Sequence, residues 1–334
     1  MSKILLLIRY TCFMTVGILW PIVLLPFCRL AATLGFPLFG FVFLVYPGTV
    51  SQVTACVPLW YRSIRPGPSV IGVMSKGRGG QRGLVMATPW TMDEMEEKNS
   101  FLENTVKEMG SLAKTIGAKT VALGGRIVTV LSKRGHRFEL PTVAGDKGAV
   151  YAVSKSTDQA LKFANLKTQR VEIGILGYGF LGSRLGDFLR DTFHYDIVAV
   201  DPRFTQPRTE YGVRLTPDPS EAHKCDLIVV LTPKGEQVED EIKYFKPGAI
   251  VVDDTHPSLP RRATPIIENN GGRLVKAGVS LEGARFWPKL PGWGAHRIPG
   301  CCVEAMVVAA SGDVRDKTQE DFNALAERMN FVAA

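Results

Sequence analysis

The sequence predicts an α/β protein: a Rossmann-type doubly wound parallel sheet, a helical and mixed substrate domain ahead of it, and an N-terminal hydrophobic membrane hairpin. Three observations predict it. A glycine motif opens a helix between two apolar runs over residues 171–201. Further apolar runs follow, each ending in loop residues. The first 46 residues carry only three charges, Lys3, Arg9 and Arg29.

The hairpin comes first in the chain. Residues 11–28, TCFMTVGILWPIVLLPFC, and 30–46, LAATLGFPLFGFVFLVY, are uncharged and separated only by Arg29. Each is near the roughly 17 to 25 residues that cross a bilayer as a helix. A signal peptide would have an apolar part of only about 7 to 15 residues. Pro21, Pro26 and Pro37 would make the hairpin re-entrant, because proline breaks the backbone ladder that lipid cannot satisfy. Basic residues flank both outer sides, so the positive-inside rule puts both ends, and the catalytic domain, in the cytoplasm. The six cysteines, at 12, 28, 56, 225, 301 and 302, are then expected as thiols in a reducing compartment or in lipid. A net charge of +8 suits an anionic membrane surface or an acidic partner. With no zinc-ligand spacing, no aromatic residues among basic ones and no repeat, neither a metal site nor a nucleic-acid partner is expected.

After a Gly/Pro/Arg-rich connector, Thr91 can cap a helix with Glu94 three residues on. Met95, Leu102, Val106 and Met109 recur at helical spacing, so one long helix is expected to end near Gly117. KTVALGGRIVTVL then reads as strand, glycine turn, strand, and GAVYAVSKSTDQALKFANL as a second helix. Tyr151 and Lys155 in that helix match the Tyr-x-x-x-Lys spacing of short-chain dehydrogenases. They precede the glycine motif, whereas a catalytic pair of that kind follows it, and four-residue helical spacing arises often by chance. These parts predict a membrane hairpin over 1–60, a substrate domain over 61–168 completed by C-terminal helices at 300–334, and a Rossmann domain over 169–299.

In the glycine motif, Gly177, Gly179 and Gly182 fit G-x-G-x-x-G, with Tyr178, Phe180 and Leu181 between them. The first glycine permits the turn, the second admits a pyrophosphate, and the third packs helix on strand. The helix N-terminus attracts the anion. The second strand ends at Asp201, about 20 residues on, where a carboxylate accepts hydrogen bonds from ribose hydroxyls and repels a 2′-phosphate. Arg203, two residues later, could instead meet that phosphate, so the cofactor is NAD(H) or NADP(H). Later runs place Thr232, Pro233, Asp254 and His256 at strand C-terminal ends, where open parallel sheets bind ligands.

Near the C-terminus runs RIPGCCVEAM, residues 297–306. Most cysteines outside disulfides are buried and inert. Here Pro299 and Gly300 end a loop and Cys301 opens an apolar helix, so its sulfur lies at a positive helix N-terminus. That position favours thiolate over the usual thiol pKa of about 8.5. Cys302, turned about 100° around the helix, reads as core packing. His296 could favour the thiolate or protonate a leaving group, and Glu304 could reach back to cap its own helix.

With these parts in order, the chain resembles the aldehyde-forming fatty acyl-ACP reductases of cyanobacteria. The likeness rests on ALGGRIVTV, TVAGDKGAVYAVSKSTDQALK, the glycine motif behind them and CCVEAM, and covers residues 83–310. It implies that Cys301 attacks a long-chain acyl thioester, of acyl carrier protein or coenzyme A, and that hydride from the nicotinamide releases a fatty aldehyde. The family is soluble and uses NADPH, so the hairpin and Asp201 are departures, as is the aromatic, Gly- and Pro-rich stretch at 284–300. Membrane lipid is a further expected partner, and a homo-oligomer is compatible with the sequence. Two other readings stay open: an NAD(P)-dependent dehydrogenase of a lipid alcohol or aldehyde without covalent catalysis, and a nucleotide-sensing domain of a membrane transporter. Arg29 alone between the apolar segments leaves no room for a pore loop in the second.

Overall fold

A computed structural model of the protein describes residues 19–57, 60–64, 66–75, 81–97, 99–135, 142–163, 171–290, 293–294 and 296–334. The chain divides into two compact units. The first holds Met1–Gly148 with Ser280–Phe331, the second Ala149–Val279 with Val332–Ala334.

The first unit begins in a π-helical turn, Trp20–Leu24, that runs into helix α1 (Leu25–Thr33). Strands β1 (Phe41–Val45), β2 (Ser69–Met74) and β3 (Gly83–Ala87) follow, then a short helix Met92–Glu97, helix α2 (Asn99–Ile116), and strands β4 (Thr120–Leu123) and β5 (Thr142–Val143). They form one sheet in the order Phe286–Trp287, β2, β3, β1, β4, β5. β1 lies between β3 and β4 and runs parallel to both. Val42, Leu44, Leu84, Met86, Val121 and Leu123 face Leu102, Val106, Met109 and Ile116 of α2 in one core. The opposite face receives the helix Gly300–Ser311, whose Cys302 Sγ lies 3.5 Å from Met74 Sδ. That helix is apolar over most of its surface because Cys302, Val303 and Ala305 to Ala309 are all buried.

The membrane hairpin is not what these residues form. Its second arm breaks after α1 at Gly35, with φ of +85°, and re-emerges as β1, whose Phe41 to Leu44 are at most 1% exposed in the middle of the sheet. A central parallel strand is apolar on both faces, so its sequence reads like a piece of a membrane span. No helix among the described residues is long and apolar enough to cross a membrane. Residues 11–18 of the first arm lie outside the described residues.

Two local expectations also change. After β4 the glycine turn leads into a helix, Ile127–Lys133, not a strand, with Ile127 and Leu131 fully buried one turn apart. β4 and β5 are parallel neighbours, and a parallel pair needs a crossover where a hairpin would place an antiparallel strand. The expected capping box is present, Thr91 N–H donating to Glu94 Oε2 at 2.8 Å and Glu94 N–H to Thr91 Oγ1 at 3.3 Å.

The chain passes to the second unit inside helix α3 (Asp146–Phe163). There follow β6 (Glu172–Leu176), helix α4 (Phe180–Phe193), β7 (Asp196–Val200), β8 (Arg208–Glu210), β9 (Val213–Thr216), β10 (Leu227–Val230), β11 (Ile250–Asp253) and β12 (Arg273–Lys276). The sheet order is β12, β11, β10, β6, β7, β9, β8, parallel except for β8. α3 and α4 cover one face through Val150, Val153, Leu161, Leu185 and Leu189. Val238 and Ile242 of a 3-10 segment, Gly235–Tyr244, and Ala263 and Ile267 cover the other. This is a doubly wound Rossmann sheet whose strand order reverses between β6 and β10.

The division falls at residues 148/149, not 168/169, and residues 280–299 join the first unit. The cause is packing within α3: its first turn lies against the Gly300–Ser311 helix, while its remaining apolar residues complete the core of β6 and β10.

Candidate active site

In the first unit, the C-terminal ends of β1, β4 and β5 gather around the start of the Gly300–Ser311 helix. Pro299 is its N-cap in extended conformation, no side chain caps it, and its carbonyl accepts from the Cys302 and Val303 N–H groups. Cys301, in this first turn, is half-buried, whereas Cys302 is fully buried. Burial, then the charge of Cys301, pushes the Cys302 thiol well up. Of the adjacent pair only Cys301 can meet a substrate. Cys28, Cys225, Cys301 and Cys302 are not disulfide-bonded.

The backbone around Cys301 is shaped by glycine. Gly145, after β5, has φ of +79°, and a Cβ there would lie 2.4 Å from the Cys301 Cβ. A Cβ on Gly148 would come 2.1 Å from the Gly300 carbonyl oxygen. The start of α3 can therefore approach the Cys301 helix only as glycine-bearing chain. At the end of β4, a Cβ on Gly125 would come 2.1 Å from the Tyr46 hydroxyl, which accepts a hydrogen bond from Arg126 N–H at 3.3 Å. Tyr46 is 7% exposed, and burial pushes its hydroxyl up to about 12, with Cys301 among the charges that add to the shift. Its hydroxyl therefore stays protonated.

Glu304, one turn beyond Cys301, does not cap its own helix. It is 4% exposed and accepts from Gly148 N–H at 3.1 Å, at the start of α3. Burial, then Asp146, pushes its carboxyl up to about 7 against the pull of the Gly148 and Lys147 N–H groups. His296 is exposed in the loop before Cys301.

In the second unit the three glycines divide the work as their spacing implies. Gly177 has φ of +96°, and a Cβ there would lie 2.8 Å from Thr232 N at the end of β10. A Cβ on Gly182 would lie 2.4 Å from the Gly177 carbonyl oxygen, so the third glycine sets α4 against the turn. At Gly179, the N-cap of α4, only an Arg203 nitrogen, 3.9 Å away, comes near, and no side chain caps the helix. Open space at the second glycine and uncapped N–H groups behind it fit a pyrophosphate. Tyr178 and Leu181 are half-buried and Phe180 is exposed, flanking this opening.

Asp201, 6% exposed at the end of β7, is held by Arg203: Nε donates to Oδ1 at 2.7 Å and Nη2 to Oδ2 at 2.9 Å. Nη2 also donates to the Tyr178 carbonyl at 3.0 Å. Burial alone would raise the carboxyl, but these bonds and the Arg203 charge hold it below the usual range. Thr232 and Pro233 follow β10, the Thr232 hydroxyl donating to the Lys234 carbonyl at 2.9 Å. At the end of β11, Asp253 is a structural acceptor for the N–H groups of Thr255 and Leu259. Neighbouring Asp254 is pushed up to about 7, by burial first, with Lys276 opposing.

The Tyr151 and Lys155 pair is structural: Tyr151 is 1% exposed, with the Lys155 ammonium 5.6 Å from its ring centre. Sequence reasoning missed Tyr46 by placing it at the end of a membrane span. The signal was there, an apolar run ending in Tyr-Pro-Gly-Thr, the same pattern of strand and loop that marked the later strands.

These two groups of residues define the class, an α/β protein with a Rossmann unit of dinucleotide-binding geometry and a cysteine at a helix N-terminus in its other unit. No family model matches the chain, and no curated protein matches it. Among solved structures, it is similar to a D-lactate dehydrogenase from Treponema pallidum at 15% identity, over 86% of this chain and 94% of the other, with a TM-score of 0.34. A D-isomer specific 2-hydroxyacid dehydrogenase from Lactobacillus delbrueckii, in an NAD complexed form, is 12% identical over 86% and 95%, with a TM-score of 0.35. A conserved hypothetical protein from Sinorhizobium meliloti is 18% identical over 33% of this chain, which spans only 42% of that protein, with a TM-score of 0.28. Likenesses this distant carry no argument about activity, which rests on the residues.

Proposed function

We propose that this protein is an NAD(P)H-dependent oxidoreductase that reduces a long-chain acyl thioester, of acyl carrier protein or coenzyme A, to a fatty aldehyde through an acyl-enzyme on Cys301. The observation that carries the reading is Cys301 itself, half-buried in the uncapped first turn of a buried helix, with the chain at Gly145 and Gly148 packed closely against that turn. The helix N-terminus favours its thiolate. That thiolate attacks the thioester carbonyl, the carrier leaves as a thiolate that takes a proton from solvent, and the acyl group stays on Cys301. Tyr46, which stays protonated, donates toward the carbonyl oxygen as negative charge develops there.

The Gly177 turn, Gly179 and the start of α4 would hold the pyrophosphate, and Asp201 the adenosine ribose. The reduced nicotinamide supplies the hydride that converts the acyl group to aldehyde and returns Cys301 as thiolate. An ionised Asp201 favours NAD(H), while Arg203 against it gives a 2′-phosphate a partner, so NADP(H) is accepted more weakly.

The purified protein, given an acyl thioester and NADH or NADPH, is expected to form aldehyde, and Cys301→Ser to abolish it while Cys302→Ala does not. Tyr46→Phe is expected to lower kcat by about tenfold to a hundredfold. An unchanged rate in Cys301→Ser would transfer the reading to a dehydrogenase of a lipid alcohol or aldehyde. One observation favours that second reading: just past the C-terminal end of β11, where open parallel sheets bind ligands, burial pushes the Asp254 carboxyl up to about 7, which suits it to moving a proton.

A further inference from the structure

The first described helix presents an apolar face that is exposed among the described residues. Trp20 and Cys28 are 6% and 4% exposed and join the core under α2. On the other side Ile22 is 70% exposed, Phe27 59%, Leu30 57% and Leu34 63%, and Phe36 just beyond is 76% exposed. Arg29 and Thr33 are the polar residues of this face, and the Thr33 hydroxyl turns back to the Arg29 carbonyl. Contiguous exposed apolar area of this kind marks an interaction site.

Charge identifies the occupant. Residues 1–92 contain no Asp or Glu and eight Lys or Arg, equal to the whole net charge of +8; the other 242 residues carry 32 basic and 32 acidic side chains. A second copy of this chain would bring the same positive segment against itself. An anionic lipid surface complements both the apolar face and the charge.

The π-helical turn and α1 together run from Trp20 to Thr33, fourteen residues or about 20 Å of helix, against the roughly 20 residues of a span. One side of it is already committed to the protein core, so lipid cannot surround it. We infer that the face of Ile22, Phe27, Leu30, Leu34 and Phe36 docks the protein on an anionic bilayer as an interfacial helix, with Arg29 at the headgroups. This stands apart from the thioester reading and needs neither Cys301 nor the glycine turn.

The test is co-sedimentation of the full chain with vesicles of phosphatidylcholine alone and with roughly 30% phosphatidylserine. Expected are binding to the anionic vesicles, weakening with salt and release by alkaline carbonate. A Phe27→Glu, Leu30→Glu pair is expected to bind about tenfold less with an unchanged thermal midpoint. A Phe27→Ser, Leu30→Ser pair keeps the test open should the charged pair misfold. Equal binding by the variants, resistance to carbonate, binding indifferent to phosphatidylserine, or a lipid-free dimer that the variants dissolve would each overturn the inference.

Discussion

Glu304→Gln is expected to stabilise the protein in a pH-dependent way. The Glu304 carboxyl is pushed from 4.5 to about 7 by its burial and by Asp146. At about 1.4 kcal/mol per unit, a shift of roughly 2.5 units corresponds to about 3 kcal/mol. A carboxyl whose folded pKa is raised holds its proton more tightly in the folded state. Its contribution is therefore fully present below about 4.5 and lost as the pH rises through about 7. Glutamine keeps a carbonyl oxygen for the Gly148 N–H and never ionises. Below pH about 4.5 the variant should match the parent; above about 7.5 it should be more stable by up to ~3 kcal/mol, roughly 6 to 12 °C in melting temperature for a unit of this size. Thermal and urea unfolding at pH about 5 and 8.5 measure the difference. A variant less stable than the parent at the higher pH would refute the reasoning, because the carboxylate's attraction to the start of α3 would then outweigh its burial.

Gly145→Ala places a methyl group against Cys301 at a positive φ and should cost about 1 kcal/mol or more in stability. Acyl transfer to Cys301 should slow by at least about tenfold, whereas dinucleotide binding, followed by nicotinamide fluorescence, should not change. Asp201→Asn removes the charge that repels a 2′-phosphate and leaves Arg203 to meet it, so NADPH affinity should rise relative to NADH by about tenfold in the same titration. Arg203→Ala should move the ratio the other way.

What could be read from the sequence was chemistry carried by neighbours in the chain. Gly177, Gly179 and Gly182 do their work within one turn, and Asp201 follows at the end of the next strand. Cys301 and Cys302 separate because successive helical residues point about 100° apart. What could not be read depended on distant partners. An uncharged run gives the same composition whether lipid or a sheet surrounds it, and only β3 and β4 on either side make Phe41–Val45 a strand. The breaks at Gly35 and Pro37 were the local sign against a span. Glu304 finds its partner at Gly148, 156 residues away, which helical spacing cannot reveal. The same distance hid why Gly145 and Gly148 are glycines, since what they make room for lies near the other end of the chain.

The most direct test of the account is mass spectrometry of the intact protein, then of its peptides, after incubation with a long-chain acyl thioester and no reductant. The account predicts one acyl adduct, on Cys301, absent in Cys301→Ser and discharged as aldehyde when NADH or NADPH is added. A protein that forms aldehyde while never carrying an acyl group on Cys301 would contradict it.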